Sequence, residues 1–482
     1  TDFAFKLAQA FVLYLKKSKR FQKIRIAVGR DSRVSGESLQ LAFCEGGACL
    51  GAEMINFDMC TTPAMYRSLK CEKLNLSAAV MITASHHPSD RNGFKFFISG
   101  VGGVSSQILK EIIACYEDEK KLTNKVYIEN FDYLSVYKEE LTNIIKQKLN
   151  TDVACPLLGI HVVVDAGNGA GGFYAELLKE LGAWTEGSQF LEPDGNFPNH
   201  APNPEDMEAM HSLSKAVIEN SADFGVIFDA DCDRAAIVDN TGKEINRNRL
   251  IALVSSILLD DEPGSTIVTD SVTSSGLAKF IGEWGGEHYR YKRGYKNVID
   301  EALRLNESGI NCPLAIETSG HAAFRENDFI DDGMYLSTLL ICKAVSAKQE
   351  GKDIFDVLSS LEEPVESAEI RLPIFAENFR EVGIKTIEKL IEKASECDSW
   401  KIAPDNREGV RISFDLDEGI NNGWFLVRMS VHDPVMPINV ESDVRGGVVE
   451  MLGELYEVIK DIKEIDSSKI YEYIKRNQEE LC

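Results

Sequence analysis

Through the first three quarters of the chain, short apolar runs alternate with longer segments in which apolar residues recur every three or four positions. That alternation is the signature of strands layered between amphipathic helices. Residues 24–28, 78–82 and 94–98 read as strands, and residues 3–17 and 106–116 as helices around them. A polar helix over 136–150 then leads to a strand at 160–164, which predicts a first domain boundary. The next block carries strands at 224–228 and 235–238, the latter ending in the turn residues Asp239-Asn240-Thr241-Gly242. A third block opens near Pro263-Gly264 with a strand at 266–269, includes a strand at 313–316, and closes with a helix over 334–348. From about Ala368 the order changes to strand, helix, three strand-like runs (410–414, 425–429 and 438–440) and one final helix, a segregated α+β pattern. The expected fold class is α/β, with three α/β domains (residues 1–155, 156–262 and 263–367) followed by one α+β domain (368–482).

Composition narrows the functional classes. Across 482 residues, 52 Lys and Arg face 77 Asp and Glu, a net charge of −25. The mean field of such a chain repels polyanions, so neither nucleic acid nor an anionic membrane is an expected partner. A small anion remains possible, because a site answers to its local charges. The eleven cysteines contain no C-x-x-C pair and are odd in number. They read as reduced, mostly buried thiols of a cytoplasmic protein and not as a disulfide framework. No apolar run approaches the ~20 residues of a membrane span. The opening stretch, with Lys6 and Gln9 inside its apolar repeat, reads as an amphipathic helix without signal-peptide features.

Four constellations could carry chemistry. Thr83-Ala84-Ser85-His86-His87-Pro88 follows an apolar strand and precedes Asn92-Gly93-Phe94-Lys95. A strand end opening into a polar loop is where α/β folds expose free backbone N–H groups to anions. Ser85 is a candidate nucleophile or phosphate carrier, with His86 beside it and Lys95 as neighbouring cation or proton shuttle; a turn or cap is the plainer alternative. The motif is not the G-x-S-x-G elbow of hydrolases. Asp229-Ala230-Asp231-Cys232-Asp233-Arg234 also follows an apolar strand. Three carboxylates at alternate positions converge on one side of an extended loop and present hard oxygen ligands suited to Mg²⁺. An EF-hand is disfavoured because Arg234 stands where that loop needs Gly, and Asn240 where it needs Glu. A solvated acidic loop is the remaining alternative. Glu317-Thr318-Ser319-Gly320-His321 offers acceptors and donors dense enough for a polyhydroxylated ligand, or else an N-cap. Arg428-Met429-Ser430-Val431-His432-Asp433-Pro434 combines a guanidinium fork, a hydroxyl and an imidazole, a phosphate cradle or a surface turn. Lys292-Arg293-Gly294-Tyr295-Lys296 adds positive charge beside a glycine.

Together and in this order, these segments make the chain resemble the α-D-phosphohexomutase family, the phosphoglucomutase/phosphomannomutase type, over essentially its whole length. The serine loop T-[AG]-S-H-N-P…N-G-x-K is matched by Thr83 to Lys95, with His87 in place of Asn. The D-x-D-x-D-R loop is matched by Asp229 to Arg234, and the G-E-x-S-G-H loop by Glu317 to His321. Gly29-Arg30-Asp31-Ser32-Arg33, Asp165-Ala166-Gly167-Asn168-Gly169 and Pro193 to His200 match further family segments. The resemblance implies a four-domain, heart-shaped enzyme in which one loop from each domain meets in a central cleft. It implies a phosphorylated Ser85 and a Mg²⁺ held by Asp229, Asp231, Asp233 and a phosphoserine oxygen. Lys95, His86, Arg234 and His321 would serve the transfer, with Lys95 and His321 moving protons. Arg30, Lys292, Glu317, Ser319, Arg428, Ser430 and His432 would bind a small phosphorylated sugar.

The implied reaction interconverts hexose 1-phosphate and hexose 6-phosphate, of glucose or mannose, through a bisphosphorylated sugar, with glucose 1,6-bisphosphate or the cognate hexose bisphosphate as activator. The protein would act as a monomer or homodimer. The family's G-T-x-G-x-R-G segment is not among these residues. Val431 and His432 replace the residues usual in the phosphate loop, and Ile316 and Thr318 depart from the usual sugar loop. Alternatives are a phosphoglucosamine mutase, a catalytically impaired sugar-phosphate-binding homologue, or a metal-dependent phosphatase using the same serine.

Overall fold

A computed structural model describes residues 1–116, 128–417, 419–430 and 433–481. The chain has four domains, each built on its own sheet: three α/β domains and a fourth, sheet-rich one. By compactness it divides into two units, Thr1–Leu250 with Ser319–Asp356, and Ile251–Thr318 with Val357–Cys482.

In the first unit, a six-stranded sheet has the fully buried strand Ala78–Ile82 near its centre. That strand runs parallel to Arg25–Arg30 on one side and antiparallel to Phe94–Ile98 on the other. All five residues of Ala78–Ile82 are buried, which explains why this strand reads as a continuous apolar run. The helix Asp2–Ser18 buries Leu7, Phe11, Val12 and Leu15 against the sheet, in a core with Phe43 and Phe96. A second sheet carries Val162–Asp165 parallel to Phe224–Phe228, and Ala235–Asp239 antiparallel to the latter. All five residues of Phe224–Phe228 are buried. A hydrogen bond joins the helices Tyr133–Lys148 and Gly333–Gln349: the buried Tyr137 hydroxyl donates to Asp332 at 2.8 and 2.9 Å, and Asp332 also caps the second helix by accepting from the Tyr335 N–H at 2.8 Å. Tyr137→Phe removes one donor from a buried carboxylate and is expected to cost about 1–3 kcal/mol in urea unfolding. Unchanged stability would mean that the bond contributes nothing.

In the second unit, Glu287–Tyr291, Thr266–Asp270 and Leu314–Ile316 lie side by side and parallel. The remaining sheet is antiparallel, in the order Glu366–Pro373, Val435–Ser442, Gly423–Val427, Val410–Phe414, Lys401–Ile402. Leu372, Ile412, Phe425, Ile438 and Leu452 form its core. The single helix expected at the end of the chain is two, Gly447–Ile459 and Ser468–Leu481. Between them the buried Ile465 forms a β-bridge with Ile374, and this extended segment interrupts the helical run. Among the described residues the ten cysteines form no disulfide, six of them are buried, and no helix is long and apolar enough to cross a membrane.

Candidate active site

The serine loop leaves the sheet at the end of Ala78–Ile82 and returns along Phe94–Ile98. Thr83 is its knot: its Oγ1 accepts from the Ser85 N–H at 2.8 Å and donates to Asp31 Oδ2 at 2.7 Å. Ser85 lies in the left-handed region (φ +50), where a non-glycine residue costs roughly 1–2 kcal/mol. The guanidinium of Arg33 passes beneath the loop. Nη2 donates to the carbonyl oxygens of Ser85 and His87, both at 2.6 Å, and Nη1 to those of Pro88 at 2.6 Å and Arg91 at 3.0 Å. Nε pairs with Asp31 at 3.1 Å, both side chains fully buried. Burial pushes the Asp31 carboxyl up to about 6, against the bonds from the Arg33 N–H and Thr83 that favour its charged form. Hydrogen bonds to charged groups contribute about 1.5–3 kcal/mol each, so this set outweighs the strain at Ser85.

The second loop departs from Phe224–Phe228 and carries Asp229, Asp231 and Asp233, each at most 1% exposed. Its main chain turns at Cys232, φ +64. Asp229 Oδ2 accepts from Ser85 Oγ at 2.7 Å and from Arg234 Nε at 3.0 Å. Arg234 Nη2 also donates to Ser85 Oγ at 3.1 Å. Lys95 Nζ pairs with Asp231 at 2.7 Å and with Asp233, and the Thr62 hydroxyl donates to Asp231. Burial works against the charge of Arg234, but the carboxylates of Asp229, Asp233 and Glu205 outweigh it and raise its pKa.

One oxygen from each of the three aspartates falls within 4.8 Å of the others. Asp231 Oδ1 and Asp233 Oδ1 are buried without a hydrogen-bond partner among the described residues. Orphaned buried carboxylate oxygens are costly, and a hard divalent cation satisfies them, so the donor set fits such an ion. Mg²⁺ at a hundred times its dissociation constant is expected to stabilise the fold by about 2.7 kcal/mol, read as a rise in Tm that Asp231→Ala abolishes. A Tm indifferent to Mg²⁺ would count against the site.

His321 joins this cluster because the Arg234 and His321 backbones form an antiparallel bridge, with Gly320 in the left-handed region (φ +92). Its Nδ1 lies 2.5 Å from Asp331 Oδ2 and 3.8 Å from Asp233 Oδ1. Burial lowers the imidazole pKa, but Asp331 and Asp233 more than reverse this and push it up to about 9. His86 behaves oppositely: its Nδ1 is 3.3 Å from Ser85 Oγ, and burial followed by Arg234, His87, His321 and Lys95 pushes it down to about 3. The site thus pairs a neutral imidazole at the serine with a charged one near the aspartates.

Arg30 turns its guanidinium to Asp58 at 2.7 Å, and the arginine that grips the serine loop is Arg33. Sequence reading gave no individual role to Asp31, Thr62 or Asp331. The D-D-G run at Asp331-Asp332-Gly333 was the available signal for the last of these, a buried acidic pair at a helix start.

In the second unit, buried Glu317 accepts from the Gly294 N–H at 2.6 Å, and Thr318 Oγ1 donates to Asp270 Oδ2 at 2.7 Å. Ser271 Oγ and the Arg293 N–H share Glu408 Oε2 at 2.5 and 3.1 Å. Arg428 is buried, and its Nε has no hydrogen-bond partner among the described residues. Burial depresses its pKa; Glu408 raises it, Arg293 lowers it further, and Asp270 and Glu369 oppose that fall. Lys292 Nζ lies 6.0 Å from the centre of the Tyr291 ring. Ser430 Oγ accepts from the Asp433 N–H at 3.3 Å, whereas His432 lies outside the described residues. Ser319 is buried and belongs to the first unit.

Models of three successive domains match the chain: phosphoglucomutase/phosphomannomutase alpha/beta/alpha domain I over residues 1–123, domain II over 135–242 and domain III over 246–364. A phosphomannomutase/phosphoglucomutase of Pseudomonas aeruginosa is 31% identical over 448 residues, covering 92% of this chain and 88% of that protein. A phosphoglucomutase of Neisseria gonorrhoeae is 30% identical over 440 residues, 90% of this chain and 88% of that one. The solved structure of a phosphoglucomutase/phosphomannomutase family protein from Burkholderia thailandensis superposes with a TM-score of 0.77 at 26% identity, over 96% of this chain and 94% of that one.

Proposed function

Because this chain belongs to the phosphoglucomutase/phosphomannomutase family, we propose that it interconverts the 1- and 6-phosphates of glucose or mannose, with Ser85 carrying the phosphate and a bisphosphorylated sugar as intermediate. The observation that carries this reading is the hydroxyl of Ser85, held at 2.7 Å on Asp229 and 3.1 Å from Arg234 beside three buried aspartates. Asp229, Asp231, Asp233 and an oxygen of the serine phosphate would hold Mg²⁺, which neutralises charge on the phosphoryl group during transfer.

The transfer breaks the bond between phosphorus and Ser85 Oγ and forms one between phosphorus and a sugar hydroxyl oxygen. Arg234 Nη2 donates to Ser85 Oγ and stabilises the charge it acquires on leaving. The sugar hydroxyl passes its proton to His86, the imidazole held neutral beside Ser85, and Ser85 Oγ takes one up as it leaves, with Lys95 and His321 as the proton-donating groups of the site. Return of the other phosphate from the bisphosphate to Ser85 completes the isomerisation and regenerates the phosphoserine. Glu317 and Ser319 supply groups for sugar hydroxyls, and Lys292, Arg428 and Ser430 for the phosphate that is not reacting. Arg428 suits that part because its buried guanidinium retains an unpartnered donor. A trace of glucose 1,6-bisphosphate would restore enzyme that had lost its phosphate.

The test is a panel of glucose, mannose and glucosamine phosphates, assayed in both directions with Mg²⁺ and glucose 1,6-bisphosphate. Isomerisation of the glucose or mannose pair is expected, and failure on every pair would end the proposal. Inorganic phosphate released as fast as isomer is formed would make the protein a phosphatase instead.

A further inference from the structure

We propose that Arg33 is a positioning residue for phosphoryl transfer: it acts through the backbone of residues 85–91 to place Ser85 Oγ on Asp229 and Arg234, and it takes no part in binding phosphate. The inference rests on Ser85 being the phosphate carrier.

A guanidinium has five N–H groups, and Arg33 has five acceptors: Asp31 Oδ2 and the carbonyl oxygens of Ser85, His87, Pro88 and Arg91. No donor is left for an anion, so an arginine beside a phosphate-bearing serine is here committed to the loop that carries it. Its four carbonyl acceptors are distributed over the loop, and one of them belongs to Ser85 itself, whose left-handed conformation sets where the hydroxyl points. A lysine has three donors and no plane, and cannot reproduce this fork.

The segment Pro193 to His200, to which the reaction assigns no role, forms the wall behind Arg33. The Phe197 ring centre lies 5.1 Å from the guanidinium carbon. A side chain at Gly195 would run into the backbone of Ser32 to Val34, so the segment lies directly on the turn that carries Arg33. His200 anchors its far end, with Nε2 3.0 Å from Asp165 and Nδ1 2.7 Å from the Ala201 carbonyl.

The experiment compares Arg33→Lys, Arg33→Ala and Phe197→Leu with the parent enzyme, reading kcat and KM for glucose 1-phosphate per folded molecule. Displacing a reactive group by an ångström costs on the order of 100-fold in rate, so Arg33→Lys is expected to lose about that factor in kcat while KM stays within about twofold. Millimolar guanidinium is expected to restore part of the kcat of Arg33→Ala and to leave the parent unchanged. Phe197→Leu, which keeps Arg33 and an apolar side chain behind it, is expected to lose about tenfold in kcat and decides the matter should Arg33→Ala fail to fold. A raised KM at unchanged kcat would make Arg33 a substrate contact, and parental kcat per folded molecule in Phe197→Leu and Arg33→Lys would make the brace purely structural; either overturns the proposal. Failure of the underlying reading is recognised separately, by a parent enzyme without isomerase activity.

Discussion

Ser85→Ala is expected to lose on the order of 10⁴-fold or more of the isomerase activity, the effect of removing a covalent nucleophile. The structure leaves little to replace it. Ser85 Oγ is the atom on which Asp229 and Arg234 converge. The neighbouring His86 is held neutral in that cluster, but an imidazole attached one residue along the chain cannot occupy the same point. Intact mass gives a second reading. The parent protein, treated with glucose 1,6-bisphosphate, should carry one phosphate that Ser85→Ala lacks. The substitution itself should cost little stability, because Arg33 and Thr83 hold the loop through its backbone. A variant within tenfold of parental turnover would remove Ser85 from the mechanism.

Arg234→Met is the second large effect, and it separates two contributions. Arg234 is buried, and its guanidinium donates to both Asp229 and Ser85 Oγ. Losing a donor aimed at developing charge typically lowers kcat by 10²–10³. Removing one partner of a buried charge pair costs roughly 3–5 kcal/mol, because the other charge is left uncompensated. Both losses are expected here. Mg²⁺ should recover part of the stability by attracting the same carboxylates, but not the rate, since it cannot replace the donor on Ser85 Oγ. Urea unfolding with and without Mg²⁺, alongside kcat, checks both parts. A full recovery of kcat by Mg²⁺ would show that Arg234 only balances charge.

The sequence by itself determined the layered α/β order, the change to α+β near Ala368, and which loops carry reactive groups. Each of those signals is contiguous: an apolar run followed within a few residues by serine, aspartates or glutamate. The strand Ala78–Ile82 was legible to the residue because all five of its positions are buried and apolar, and Phe94–Ile98 because Gly93 and Ser99 bound its largely apolar run. The final helix was not legible as two, since Ile465 leaves helical geometry for a bridge to Ile374, a partner distant in sequence.

Only the tertiary structure decided what each group at the site is free to do. Arg30 and Arg33 stand three residues apart in one motif, yet one pairs with Asp58 and the other commits every donor to carbonyls 52 to 58 positions away and to Asp31. His86 and His321 have the same side chain and opposite protonation: burial and then neighbouring cations hold one neutral, whereas Asp331 and Asp233 outweigh burial and keep the other charged. Residue type fixes the number of donors and the charge a side chain can bring. Which donors remain available, and which charge persists, depends on burial and on neighbours that the chain delivers only by folding.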